Sequence, residues 1–92
     1  MSEVTCVSKG FIDGKESSLT KFKDGKMELT IGKKKYIADD FYFKTMEDEN
    51  YCWDSIIGSN NVDGKTKVKY QIEFEEVDGD LDAELEAIGN FF

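Results

Sequence analysis

TMEDENYCWDSIIG, residues 45–58, decides between two folds for this chain. Read as a helix, it has Thr45 as N-cap with Asp48 three residues on, acids at 47–49 where the helix dipole is positive, and Gly58 where a helix should stop. Its apolar positions Cys52, Trp53, Ile56 and Ile57 then share one face suited to packing on a sheet. The sequence is read as a helix from about 46 to 57, with a strand over 51–57 as the competing reading. Trp53 belongs to the core in this reading; its alternative role is an exposed anchor at a binding surface.

Working outward, Asp-Gly recurs between alternating stretches: FIDGKES at 11–17, FKDGKME at 22–28, NVDGKTK at 61–67 and EVDGDLD at 76–82. Asp tolerates positive φ and Gly adopts it freely, so such a pair between two alternating runs predicts a hairpin turn. The flanks agree. After Gly64, Val68, Tyr70, Ile72 and Phe74 alternate with Lys67, Lys69, Gln71 and Glu73, the pattern of a half-buried strand. KMELTI places Met27, Leu29 and Ile31 on one face, and EVTCVSKGFI reads as a strand. Leu19 and Phe22 fall out of phase, which predicts a bulge or a short edge strand. Over 80–88, Leu81, Leu85 and Ile88 form a helical stripe among acids.

These elements predict an α+β domain over residues 1–92: an antiparallel meander sheet of about five strands with two helices packed on it. A small closed β-barrel with a C-terminal helix is the alternative. The predicted core is Val4, Cys6, Val7, Met27, Leu29, Ile31, Ile37, Phe41, Phe43, Trp53, Ile56, Val68, Tyr70, Ile72, Phe74, Leu81, Leu85 and Ile88.

The Asp-Gly loops fail as ligand sites. Asp78, Asp80 and Asp82 have the spacing of a calcium loop's first ligands, but Ala83 stands where that loop needs Gly and Gly89 where it needs Glu. No Gly-rich span leads into a helix with the Lys and Ser/Thr of a phosphate loop. The chain has no His, Arg or Pro, so the commonest general base and transition-metal ligand are absent and anion recognition falls to Lys. Cys52 has no His to activate it, and Asp39 and Asp40, as neighbours in a strand, would face opposite ways. No catalytic residue, metal or cofactor is expected. Cys6 and Cys52 read as small buried thiols in a reducing compartment, no apolar run is long enough to cross a bilayer, and MSEVTCVSKG has no signal-peptide order, so a cytoplasmic protein is expected.

Charge is the remaining signal. The net charge is −8, and it is unevenly placed: residues 1–38 hold eight Lys and five acids, whereas 73–92 hold eight acids and no Lys. The chain as a whole repels phosphate, so duplex nucleic acid is not an expected partner. The expected function is that of a non-enzymatic acidic binding protein, an inhibitor or adaptor covering a basic, nucleic-acid-handling surface of another protein. Its carboxylates would stand in for phosphates: Asp39, Asp40, Glu47, Asp48, Glu49, Glu73, Glu75, Glu76, Asp78, Asp80, Asp82, Glu84 and Glu86. In general character the chain resembles the small acidic accessory proteins of bacteriophages, among them inhibitors of host nucleases; the resemblance covers no motif.

Two alternatives start from other residues. Lys21, Lys23, Lys26, Lys33, Lys34 and Lys35, with Phe11, Phe22, Tyr36 and Tyr42 for stacking, would suit a single-stranded nucleic-acid binder. The acidic stretch 73–92, ending in two aromatics, resembles the partner-recruiting tails of bacterial and phage single-strand-binding proteins. The ending LEAIGNFF resembles the sliding-clamp-binding box, with Ile88, Phe91 and Phe92 in the positions of its apolar plug and Leu85 where that box has glutamine.

Overall fold

Alternation gives strands over most of the chain: β1 (Val4–Ile12), β2 (Lys15–Phe22), β3 (Met27–Ile31), β4 (Lys34–Ala38), β5 (Asp40–Glu47), β6 (Cys52–Val62), β7 (Lys65–Glu73) and β8 (Val77–Gly79), followed by the helix α1 (Asp80–Gly89). A computed structural model describes residues 3–89. One antiparallel sheet has the order β4-β3-β2-β1-β8 and a second has the order β5-β6-β7. The strands do not close into a barrel, since β4 and β8 bound one sheet and β5 and β7 the other.

The turns follow the chemistry of their residues. Asp13 and Gly14 have φ of 51° and 79°, and Asp63 and Gly64 have 53° and 77°, the paired positive values of a two-residue hairpin turn. The Asp24-Gly25 turn is wider: the Asp24 carboxylate accepts from the Lys26 N–H at 2.9 Å, and Gly25 alone of the pair has positive φ, at 96°. Asp78-Gly79 makes no hairpin. It ends β8 against Gly10 and Phe11 of β1 and leads into α1.

The helix expected over 46–57 is a correction. Residues 40–47 and 52–62 are two paired strands, in register from Asp40 opposite Ser59 to Glu47 opposite Cys52. Asp48 does accept from nearby N–H groups, as an N-cap would, but they are those of Asn50 and Tyr51, at 2.8 and 2.9 Å, and the result is a tight turn. Beyond it, Tyr51, Trp53 and the β-branched Ile56-Ile57 pair favour extended chain, and Ser, Gly and Asn at 58–61 add little helical preference. Gly58, expected to stop a helix, lies inside β6. A Cβ there would stand 2.7 Å from a ring carbon of Phe41 and 2.9 Å from one of Tyr70, so the missing side chain lets those rings stack with centroids 6.4 Å apart.

α1 forms where the stripe 80–88 places it. Asp80 and Asp82 lie in its first turn, favourable at the positive end of the dipole, and Leu81 and Leu85 are fully buried. The helix packs on β1 and β5 and so fills the gap between the two sheets. Ile12, Leu19, Leu29, Ala38, Phe41 and Ile56 complete the buried cluster, with Phe43, Tyr70, Ile72 and Phe74 packed against it.

The core expectation holds for Leu29, Phe41, Ile56, Leu81 and Leu85 and fails for Val4, Cys6, Val7, Ile37 and Val68, which are exposed, as is Cys52, the other thiol expected to be buried. In β1 the register turns Ser8, Gly10 and Ile12 inward, opposite Leu19, Ser17 and Lys15, and leaves Val7 and Phe11 on the outer face. The irregularity signalled by Leu19 and Phe22 lies on the partner strand, between Val4 and Cys6. β2 itself is interior to its sheet, not an edge strand.

Gly58→Ala tests the packing directly. The added methyl forces the Phe41 and Tyr70 rings apart and should cost about 1–3 kcal/mol of unfolding free energy, read as a lowered urea midpoint with unchanged slope. Leu85→Ala, which leaves a cavity beneath α1, should cost about 2–5 kcal/mol in the same assay.

Candidate functional site

The acids proposed as a binding face fall into three groups. The first is a seam. Asp39 lies at the bend between β4 and β5, where the chain passes from one sheet to the other. Its N–H donates to the Ser59 carbonyl and to Asn60 Oδ1, both at 3.0 Å. Its carboxylate accepts from Lys26 Nζ at 2.6 Å and from the Asn61 N–H at 2.7 Å. These bonds, Lys26's first, hold the Asp39 carboxyl below the usual carboxylate range, and the same contact raises Lys26. Asp40 shifts the opposite way: burial pushes its carboxyl up, the Asp39 charge adds to that, and Lys21 opposes it. Lys21 in turn pairs with Glu84 of α1. Adjacent Asp39 and Asp40 therefore feel each other, because Asp39 occupies the corner and not the alternating part of a strand.

The second group gathers at one end of the smaller sheet. Its strands are antiparallel, so the 48–51 turn and the end of β7 lie together, with Ser55 opposite Glu73 and the Phe74 N–H donating to the Asp54 carbonyl. Glu47, Asp48, Glu49, Asp54, Glu73, Glu75 and Glu76 share this end. Asp13 joins them from the first hairpin: its carboxylate accepts from the N–H groups of Glu75 and Glu76 at 2.8 and 2.9 Å, and its own N–H donates to the Glu76 carbonyl at 2.9 Å. Lys15, two residues on, extends toward Gly32 instead. Lys44, opposite Ser55 in the register, shares a face with Glu73.

This acidic end has an aromatic wall. Tyr51 is 66% exposed and lies nearly parallel to Trp53, with ring centroids 6.0 Å apart and planes 15° from parallel. Alternation puts Trp53 and Ser55 on one face of β6, and the register sets Glu73, the last residue of β7, opposite Ser55; Tyr51 precedes β6 and Glu75 follows β7. Tyr51, Trp53, Phe74, Asp13, Glu73 and Glu75 line a cleft of about 530 Å³. Trp53 is half-buried, not the core residue expected; its Nε1 is enclosed and, among the described residues, has no hydrogen-bond partner, nor has Ser55 Oγ. The sequence offers Trp53 as an exposed anchor only in second place and does not single out Tyr51, because the helical reading of 46–57 hides the extended chain that follows the 48–51 turn.

The third group, Asp78, Asp80, Asp82 and Glu86, runs along β8 and α1 away from this cleft. Among the described residues no three Asp, Glu or Cys side chains converge as a metal site, and no helix is long and apolar enough to cross a membrane.

The lysines are divided. Lys21, Lys23 and Lys26 lie at or near the β2–β3 turn, and Lys33, Lys34 and Lys35 at the β3–β4 turn, the opposite end of β3. Lys21 and Lys26 already hold Glu84 and Asp39, and Lys35 stands 3.9 Å from Glu28. Tyr36 packs edge-on to Tyr70 in the core, while Phe11 is exposed on the outer face of the larger sheet. There Phe11 borders a groove of about 620 Å³ with Lys9, Glu16, Ser18, Thr30 and Asp80, larger than the acidic cleft but mixed in charge. Ile88 packs on the core, and Phe91 and Phe92 lie outside the described residues.

No family model matches the chain, and no curated protein or solved structure matches it.

The seam makes a two-signed prediction for stability against pH. Asp39, with its native pKa lowered, stabilises above the unfolded value of about 4 and loses that contribution as pH falls through the lower native value. Asp40, with its native pKa raised, weakens the fold at neutral pH, and that penalty lifts as pH falls through the raised value. Asp40→Asn should therefore raise the neutral-pH urea midpoint and flatten the profile just above pH 4, whereas Asp39→Asn should lower the midpoint at neutral pH and remove part of the acid-side loss.

Proposed function

We propose that this chain is a non-enzymatic acidic binding protein whose carboxylate-rich end of the smaller sheet docks on a basic surface of a partner protein. The observation that carries this reading is the gathering of Glu47, Asp48, Glu49, Glu73, Glu75 and Glu76, from two distant stretches of sequence, at the end of the sheet where the exposed Tyr51 ring lies against the half-buried Trp53. A charged face that serves solubility alone has no use for Tyr51 in the open; a binding face uses such a ring as its anchor. The carboxylates supply the complementary field that speeds and orients encounter with a cationic surface. A surface that binds nucleic acid is basic, so an end of this kind competes with phosphate for it, and occlusion of that surface is the inhibitory consequence.

The division of the lysines favours this reading over binding of single strands. Two of the six proposed for that role are committed to carboxylates at the seam, and the remainder are split between opposite ends of a strand.

Charge reversal at two places separates a local site from bulk charge. Glu75→Lys with Glu76→Lys should slow association with an immobilised lysine- and arginine-rich peptide by about tenfold or more at low salt, while Asp80→Lys with Asp82→Lys, an equal change of net charge on α1, should change it far less. Equal losses in both variants would mean that the whole charge, not this end, governs binding. A single-stranded oligonucleotide titrated at low salt should leave the protein unbound, and tight binding there would overturn the reading.

A further inference from the structure

We propose that the cleft between Tyr51, Trp53, Glu73 and Glu75 is a receptor for one arginine side chain of the basic partner, an inference that rests on the docking end proposed above. The chemistry of the walls selects the guest. Tyr51 and Trp53 present nearly parallel rings, and the Tyr51 ring is open to solvent. A cation placed over such a ring is held by its quadrupole, and a guanidinium, flat and weakly hydrated, stacks on it where a compact ammonium keeps its water. Glu73, at the end of β7, and Glu75, in the chain that leaves it, line the cleft together with the rings, so a stacked guanidinium directs its forked N–H donors toward carboxylate oxygens.

Two further observations fit this guest. Asp13 fixes the backbone at Glu75 and Glu76 through its two accepted hydrogen bonds, so the acidic wall is braced before anything binds. Among the described residues Trp53 Nε1 has no acceptor, although it is enclosed and the residue is only half-buried. The cleft of about 530 Å³ has room for an arginine side chain and its flanking peptide unit. The larger groove beside Phe11 offers neither a ring pair nor charge of one sign.

Trp53 is the single tryptophan of the chain, so its fluorescence reports on this cleft alone. The full chain is titrated with two peptides of one length and one net charge, glycine alternating with arginine in one and with lysine in the other. The arginine peptide should shift Trp53 emission saturably, protect it from acrylamide, and bind roughly three- to tenfold more tightly than the lysine peptide. Tyr51→Ala and Glu73→Gln, both at solvent-facing positions, should reduce that preference to near parity with the far-UV spectrum unchanged. Equal affinities with Trp53 emission unmoved would overturn the arginine receptor while leaving the acidic docking end intact. Failure of both peptides to bind at low salt would overturn both readings.

Discussion

The bend at Asp39 is the contact on which the two-sheet arrangement depends. A meander of alternating strands would otherwise continue as one flat sheet with long exposed edges. Asp39 turns it: with its N–H held by Ser59 and Asn60, and its carboxylate by Lys26 and Asn61, the chain leaving β4 is clamped to the far end of β6. Ala38 and Phe41, on either side of the corner, are driven into the core by that change of direction. The two sheets then face α1, and the fully buried Leu81 and Leu85 fill what the strands leave open. A salt bridge on a surface contributes little by itself, but here the ion pair orients backbone hydrogen bonds that join two sheets.

The same corner sets where the remaining charge goes. Carboxylates at the seam are matched, Asp39 by Lys26 and Glu84 by Lys21. Those at the opposite end of the smaller sheet, around the 48–51 turn and the exit of β7, have no comparable set of lysines near them. Their mutual repulsion opposes folding, and at chain turns it is screened by water to a degree that a sheet interior would not allow. At this end the concentrated negative field lies where the backbone reverses, and there Tyr51 is exposed against Trp53. Docking of a cationic partner relieves this repulsion, which links the charge distribution to the proposed function.

Much of the architecture was legible from pairs and periods. Asp13-Gly14 and Asp63-Gly64 turn as their chemistry requires, the alternation after Gly64 gives β7, and the stripe Leu81, Leu85, Ile88 gives α1. The stretch 45–58 was misread because Thr45 and Asp48, spaced as an N-cap and the acid three residues on, serve a strand pair and a turn: Thr45 Oγ1 donates to Asp54 across β5 and β6, and the Asp48 carboxylate accepts from the Asn50 and Tyr51 N–H groups. The outward phase of β1 was hidden because Ser8 and Gly10 face inward there, contrary to hydrophobicity, beneath β8 and α1. Of the site, the acids were visible as composition, but their grouping was not. It depends on long-range register, Ser55 opposite Glu73 and Asp13 beside Glu75, and no local pattern encodes either. Aromatic residues at 51 and 53 with acids at 73 and 75 become a cleft only once β6 and β7 are paired.

Amide chemical-shift mapping of the isotope-labelled chain during titration with an arginine-containing basic peptide tests the central claim most directly, since it locates binding residue by residue without any substitution. The account predicts that shifts concentrate at residues 47–55 and 73–76 and at Asp13, with the Trp53 indole N–H among the largest, while β3, β4 and the exposed side of α1 stay unmoved. Shifts centred on α1 or on the outer face of the larger sheet, or spread evenly over every acidic residue, would contradict it.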